Sequence, residues 1–221
     1  DPATEAELFP MTQALLTHCF RKGHRVFLMT LFPQGTGTAE KALNLVSKKF
    51  GKKSGTDFVF LGYQPGSALI IRRMVKNLQP IFPKDFYGQP TKEMPVFQGV
   101  SGLKDFGLAV CLSGTGIVSS WIVYGQGPSE VKMAAGVTAV MATELYPFLD
   151  TRQLIGMMGG LKGAAEYEML LGKQRYEEEL GQKARACAGM DGQTAAHLII
   201  ILFVLTSNFL YFATRRAPAK G

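Results

Sequence analysis

The residues best suited to meet a ligand fall in four short runs rich in glycine, serine and threonine: Gln34 to Thr38, Gly62 to Ser67, Ser113 to Gly116, and Gly136 to Thr138. Small residues let backbone N–H groups and hydroxyls approach an anion or polar ligand where a helix begins. The candidates are Gly35, Thr36, Gly37, Thr38, Gly62, Tyr63, Gly66, Ser67, Ser113, Gly114, Thr115, Gly116 and Thr138. Tight strand-to-helix turns call for the same small residues, so the runs fit either use. None completes a phosphate-binding signature: QGTGTAE lacks the GxGxxG spacing, and no GxxxxGK[ST] loop occurs. Ser113 lacks the flanks of a nucleophile elbow, and no His–carboxylate pair near it in sequence would activate it.

A second concentration is MMGGLKGAAEYEMLL, where Lys162 and Glu166 stand four apart and share one helical face. They suit a surface ion pair, or a cation and an acceptor facing an anionic ligand. Glu144 and Asp85 are further polar outliers without an evident partner. Cys19, Cys111 and Cys187 are widely spaced, with no metal-ligand pattern, and Cys111 reads as a small hydrophobe. His18 and His24 are isolated. No metal site is assigned, and any cofactor is unknown.

Strand-like and helical runs alternate around these loops. Leu8 to Phe20 predicts an amphipathic helix with Pro10 in its first turn, followed by a glycine stop at Gly23. His24 to Leu31 suits a buried strand, and Thr38 to Phe50 a helix closed by Gly51. Asp57 to Leu61 then repeats the strand and Ala68 to Leu78 the helix. The segment from Pro80 to Leu103, with four prolines among Phe82, Phe86, Tyr87 and Phe97, predicts an ordered excursion, either a lid or a surface cover. Asp105 to Leu112 is a third strand, Ile117 to Tyr124 a helix, Val131 to Met141 a fourth strand, and Lys162 to Leu171 another helix, with a break at Pro147. This rhythm predicts an α/β fold, a mostly parallel Rossmann-like sheet with helices on both faces and ligands beyond the C-terminal strand ends.

Ala195 to Ala213 reads AAHLIIILFVLTSNFLYFA, nineteen residues without a formal charge. A helix of that length rises about 28 Å, close to the span of a bilayer's hydrocarbon core. His197 and Asn208 are eleven residues apart and share a helical face, which predicts packing against another transmembrane helix. The expected organisation is a Rossmann-like domain over 1–172, a juxtamembrane connector over 173–193, a transmembrane helix over 194–214 and a short basic tail over 215–221. The acidic run Glu177 to Glu179 in the connector reads as a solvated face. Arg215, Arg216 and Lys220 outweigh Lys183 and Arg185 across the span, which orients the domain to the outer, periplasmic side.

The net charge of +7 is spread out, with its densest group at Lys48, Lys49, Lys52 and Lys53. That group suits a solvated face or anionic lipid headgroups. Nucleic acid is disfavoured, because no aromatic side chains interleave with the basic ones. The chain starts at Asp1 without an initiator Met; a removed signal peptide and an upstream anchor both fit.

Taken together, PQGTGTAEKAL, KKSGTDFVFLGYQPGSA, GLKGAAEYE and the closing AAHLIII resemble a family of uncharacterised bacterial membrane-anchored proteins over nearly the whole chain. The resemblance implies an α/β domain in the bacterial inner membrane's neighbourhood, preceded by another hydrophobic segment and a strand. It implies no reaction and no catalytic residues. The expected function is non-enzymatic: a membrane-tethered module that helps assemble or regulate a membrane protein complex, sensing a small polar ligand. The alternative is a membrane-associated enzyme acting on an anionic or nucleotide-like substrate at the strand ends.

Overall fold

The computed structural model describes residues 2–215, so Arg216 and Lys220 of the basic tail lie outside the described residues. Helix α1 runs from Pro2 to Arg21, beginning six residues earlier than the apolar pattern predicts. Pro2 and Glu5 are residue types that favour a helix start, so the first turn precedes the apolar face. Pro10 is therefore interior and forfeits one backbone bond. Gly23, at φ 73°, turns the chain into β1, Val26–Thr30. Helix α2, Thr36–Lys49, ends before Gly51 at φ 61°, and β2, Phe58–Tyr63, leads into α3, Ser67–Lys76.

The proline-rich excursion is ordered cover. Phe82, Val96, Phe97 and Leu103 are buried with Leu61, Ile70 and Met74. The Phe86 N–H donates to the Phe60 carbonyl of β2 at 2.8 Å. Asp85 does have partners: its buried carboxyl accepts the Tyr87 and Gln89 backbone N–H groups at 3.0 and 2.8 Å, closing a tight turn.

The second half contains β3, Ala109–Ser113; α4, Ile117–Trp121; a π turn, Ile122–Gln126; α5, Gly127–Ser129; and β4, Met133–Val137. Helix α6, Ala139–Asp150, begins inside the run read as one long strand, and Pro147 lies within the helix instead of breaking it. The reason is tertiary: Glu7 of α1 accepts the Ala139 N–H at 2.9 Å and fixes the helix start there. A short β5, Met157–Gly159, feeds α7, Gly160–Leu170, followed by α8, Lys173–Leu180, and α9, Arg185–Arg215.

All described strand pairs are parallel, but they form two small sheets, β1-β2 and β3-β4-β5, where one sheet was expected. Alternation along β2 divides the packing. Phe58 and Phe60 join α1, α2, α7 and α8, whereas Val59 and Leu61 join α3 and the excursion. A third cluster holds Cys111, Met133 and Val137 beneath α4 and α6, and Trp121 packs against both it and the α3 cluster. The result is a mixed α/β fold with helices on both sides of its strands.

Both sheets point the same way. Helix α1 starts beside the ends of β3 and β4, where Thr4 touches Gly114 and Glu7 holds Ala139, and finishes with Phe20 against Phe58, the first residue of β2. The C-terminal strand ends thus share one rim of the molecule.

The segment after α7 is built into the main core. Tyr176, Leu180, Ala184, Ala186 and Cys187 are buried there. The acidic run does more than solvate a face: Glu179 pairs with Arg21 at 2.6 Å and Arg175 at 2.8 Å, and Glu177 accepts the Ala184 N–H at 2.9 Å. From Asp191 onward α9 is exposed. It contains an 18-residue window of mean hydropathy 2.0, none of it buried in the chain, and is long and apolar enough to cross a membrane.

Candidate functional site

All four predicted runs fall at or next to the C-terminal strand ends, though two of them begin inside strands, at Gly62 and Gly136. Thr36, Gly37 and Thr38 form the first turn of α2, and the Thr36 and Thr30 hydroxyls hydrogen-bond at 3.0 Å. Gly66, at φ 84°, precedes Ser67 at the start of α3. Gly62 is not in a loop. It sits in β2 at a register irregularity, at φ 67°, and Phe86 covers it so closely that a Cβ would lie 2.7 Å from the ring. Tyr63 is the last residue of β2 and is exposed.

Ser113 is buried at the end of β3. Its Oγ accepts the Thr115 N–H at 3.1 Å and lies 3.0 Å from the Thr115 hydroxyl, so the SGTG run is closed on itself. Gly114 is there because Thr4 leaves no room for a side chain. Gly136 lies inside β4, where a Cβ would collide with Leu112, so its smallness serves sheet packing. Thr138 is extended and precedes α6. The first amide of α6 is already taken by Glu7, an intramolecular carboxylate in the place an external anion would occupy.

Lys162 and Glu166 pair with each other at 3.6 Å with side chains 75% and 62% exposed. They border an open groove of 390 Å³ lined by Tyr146, Met157, Met158, Gly159 and Tyr167. Neither they nor Glu144 hydrogen-bond to Ser113 or Thr115 among the described residues. The loops and the groove therefore do not assemble into one catalytic set. No group of three metal-capable side chains occurs among the described residues.

Two polar contacts matter that spacing did not reveal. Glu168 is fully buried on α7 and its carboxyl accepts the Ala186 and Cys187 N–H groups at 3.2 and 2.9 Å, capping α9. Burial, reinforced by Glu168, pushes the Cys187 thiol up to about 11. His18 Nδ1 meets the Tyr167 hydroxyl at 2.5 Å, joining α1 to α7; burial, with nearby Lys22 and Arg21, lowers the histidine's pKa. A glutamate at the end of one predicted helix and an alanine-rich start to the next is the only sequence signal for the first contact. Nothing in the sequence signals the second.

Comparison of the chain with protein-family profiles, curated proteins and solved structures returned no match.

Proposed function

We propose that this protein is a membrane-tethered, non-enzymatic α/β module that helps assemble or regulate a membrane protein complex, with a small polar ligand at its strand-end rim. The observation that carries the reading is α9: its base is buried in the domain core while its apolar remainder is wholly exposed within the chain. An unburied apolar length of that kind is stabilised by lipid or by another helix. On this reading residues 194–214 span a bacterial inner membrane and the domain lies on the periplasmic side; the expected connector over 173–193 gives up Tyr176 to Cys187 to the domain core, so only its last residues lead to the span. His197 and Asn208 face a partner helix; Asn208 already donates one bond to Val204 O at 3.0 Å and retains further capacity.

The finer fold within this proposal is Rossmann-like. Strand order β2-β1 and β3-β4-β5 becomes the doubly wound order if one more parallel strand lies between β1 and β3 and leads into α1. In support, β1 is only half-buried throughout, whereas five of the six β2 residues are buried. The strand that the resemblance places ahead of Asp1 suits that lane.

The test is association of the full chain in mild detergent or native membranes. The wild type is expected to cross-link to a second membrane helix, and a His197→Leu, Asn208→Leu variant to lose most of that adduct. A wild type that remains alone, or a variant that associates equally well, would count against a partner-facing helix.

A further inference from the structure

The two rims of the strands differ in charge. Leaving the strands, Leu31 to Ala39, Tyr63 to Ile71, Ser113 to Ser129, Thr138 to Thr143 and Gly159 to Leu161 contain no Asp, Glu, Lys or Arg. Entering them, the chain carries Arg21, Lys22 and Arg25; Lys48, Lys49, Lys52, Lys53 and Asp57; Lys104 and Asp105; Glu130 and Lys132; Asp150 and Arg152. Tight turns explain small residues on the first rim, but they do not require the absence of charge at every one.

Helix α9 independently selects the same rim. Its contacts step backward along α7 as they step forward along α9: Cys187 meets Glu168 and Ala165, and Gly189 meets Leu161. Because α7 descends from the end of β5, α9 runs back toward the strand ends. Ala195 lies six residues beyond Gly189, a rise of about 9 Å. A headgroup layer is roughly 5–8 Å thick on each side of the hydrocarbon core. The uncharged rim is therefore carried to about the depth of that layer.

We propose that the strand-end rim rests on the headgroup layer of the bilayer that α9 enters, with the charged rim turned to water. Phe32, Leu69 and Val140 stand exposed on it, Leu69 at 63% and Val140 at 83%. Exposed apolar residues alone do not choose the rim, since Ile155 is exposed on the opposite one. Charge and the heading of α9 make the choice. Glu5, Glu40 and Lys162 border the uncharged surface, as does the turn carrying Lys84, where Phe86 covers Gly62 and Tyr87 donates to Glu40 at 2.9 Å, while Glu7 is held by Ala139. A ligand reaching this rim comes from the membrane as an amphiphile; a free polyanion would meet no cationic side chain in the turns. The proposal rests on the membrane-spanning reading of α9.

The test places single tryptophans in the full chain, reconstituted in phosphatidylcholine vesicles with lipids brominated on the upper acyl chain, with Trp121 kept as an internal reference. Leu69→Trp and Val140→Trp are expected to lose most of their added emission, and Ile155→Trp to keep it. Leu202→Trp, probed with mid-chain bromines, reports the span separately. Quenching at position 202 without quenching at 69 and 140 overturns the rim proposal and leaves the anchored module intact. Equal quenching at 69 and 155 overturns it too. No quenching at 202 removes the span, and the rim proposal with it.

Discussion

Two parts of one continuous helix meet different surroundings. The base of α9, Arg185 to Met190, is set among α1, α7 and α8; Ala186 and Cys187 are buried, and Glu168 holds their amides. Beyond Asp191 every described residue of the same helix is exposed. The difference shows that the domain is not hung on a loose linker. Its orientation relative to the apolar span is set by side-chain packing at the base and transmitted along an unbroken helix.

Removing the cap should erase the contrast most completely. Glu168→Ala leaves two buried N–H groups without acceptors and opens a cavity, at a cost of about 2–4 kcal/mol. Glu168→Gln keeps an acceptor and should lose less. Chemical denaturation of the full chain in detergent, followed by proteolysis between α8 and α9, measures both effects. A loss below 1 kcal/mol for the alanine variant would mean that the base is held chiefly by apolar packing. Next in size is Gly189→Leu. Even a Cβ there lies 2.8 Å from the tip of Leu161, so a full leucine must displace that side chain and crowd the seam between α9 and α7, costing about 1–3 kcal/mol. Unchanged stability and unchanged protease resistance would show that the two helices are not tightly apposed.

Much of this architecture was legible locally. The alternation of apolar runs with Gly/Ser/Thr turns located β1, β2, β3 and the helices after the first two, because burial of one face imposes a period on sequence. The long apolar stretch was equally plain. What failed was decided by distant partners. Pro10 and Pro147 look like a start and a break by local rules, yet both are helix-interior, with Glu7 fixing the start of α6. The acidic run beside Tyr176 looked solvated because the buried residues around it are few and widely spaced, and their core is supplied by α1 and α2. At the candidate site the small residues were visible, but their uses were not. Gly62, Gly114 and Gly136 make room for Phe86, Thr4 and Leu112, contacts 24 residues or more apart, the last of them across adjacent strands. The charge asymmetry of the rims was present in the sequence, but it takes strand direction to assign each segment to an end.

The smallest predicted effect gives the closest view of where the two parts meet. Gly189 and Gly192 are one turn apart, yet a Cβ on Gly192 meets nothing within 4 Å. Gly192→Ala should therefore act through helix propensity alone, stabilising the local helix by up to about 1 kcal/mol. Packing of the domain should be untouched, because no core side chain has to move. Amide exchange around residues 190 to 195 should slow by about fivefold, the rate equivalent of about 1 kcal/mol for local opening. The global unfolding midpoint of the domain should stay where it was, in contrast to its fall in Gly189→Leu. If Gly192→Ala instead lowers that midpoint, the packed base extends past Asp191, and the boundary between the held and free parts of α9 lies further along the helix.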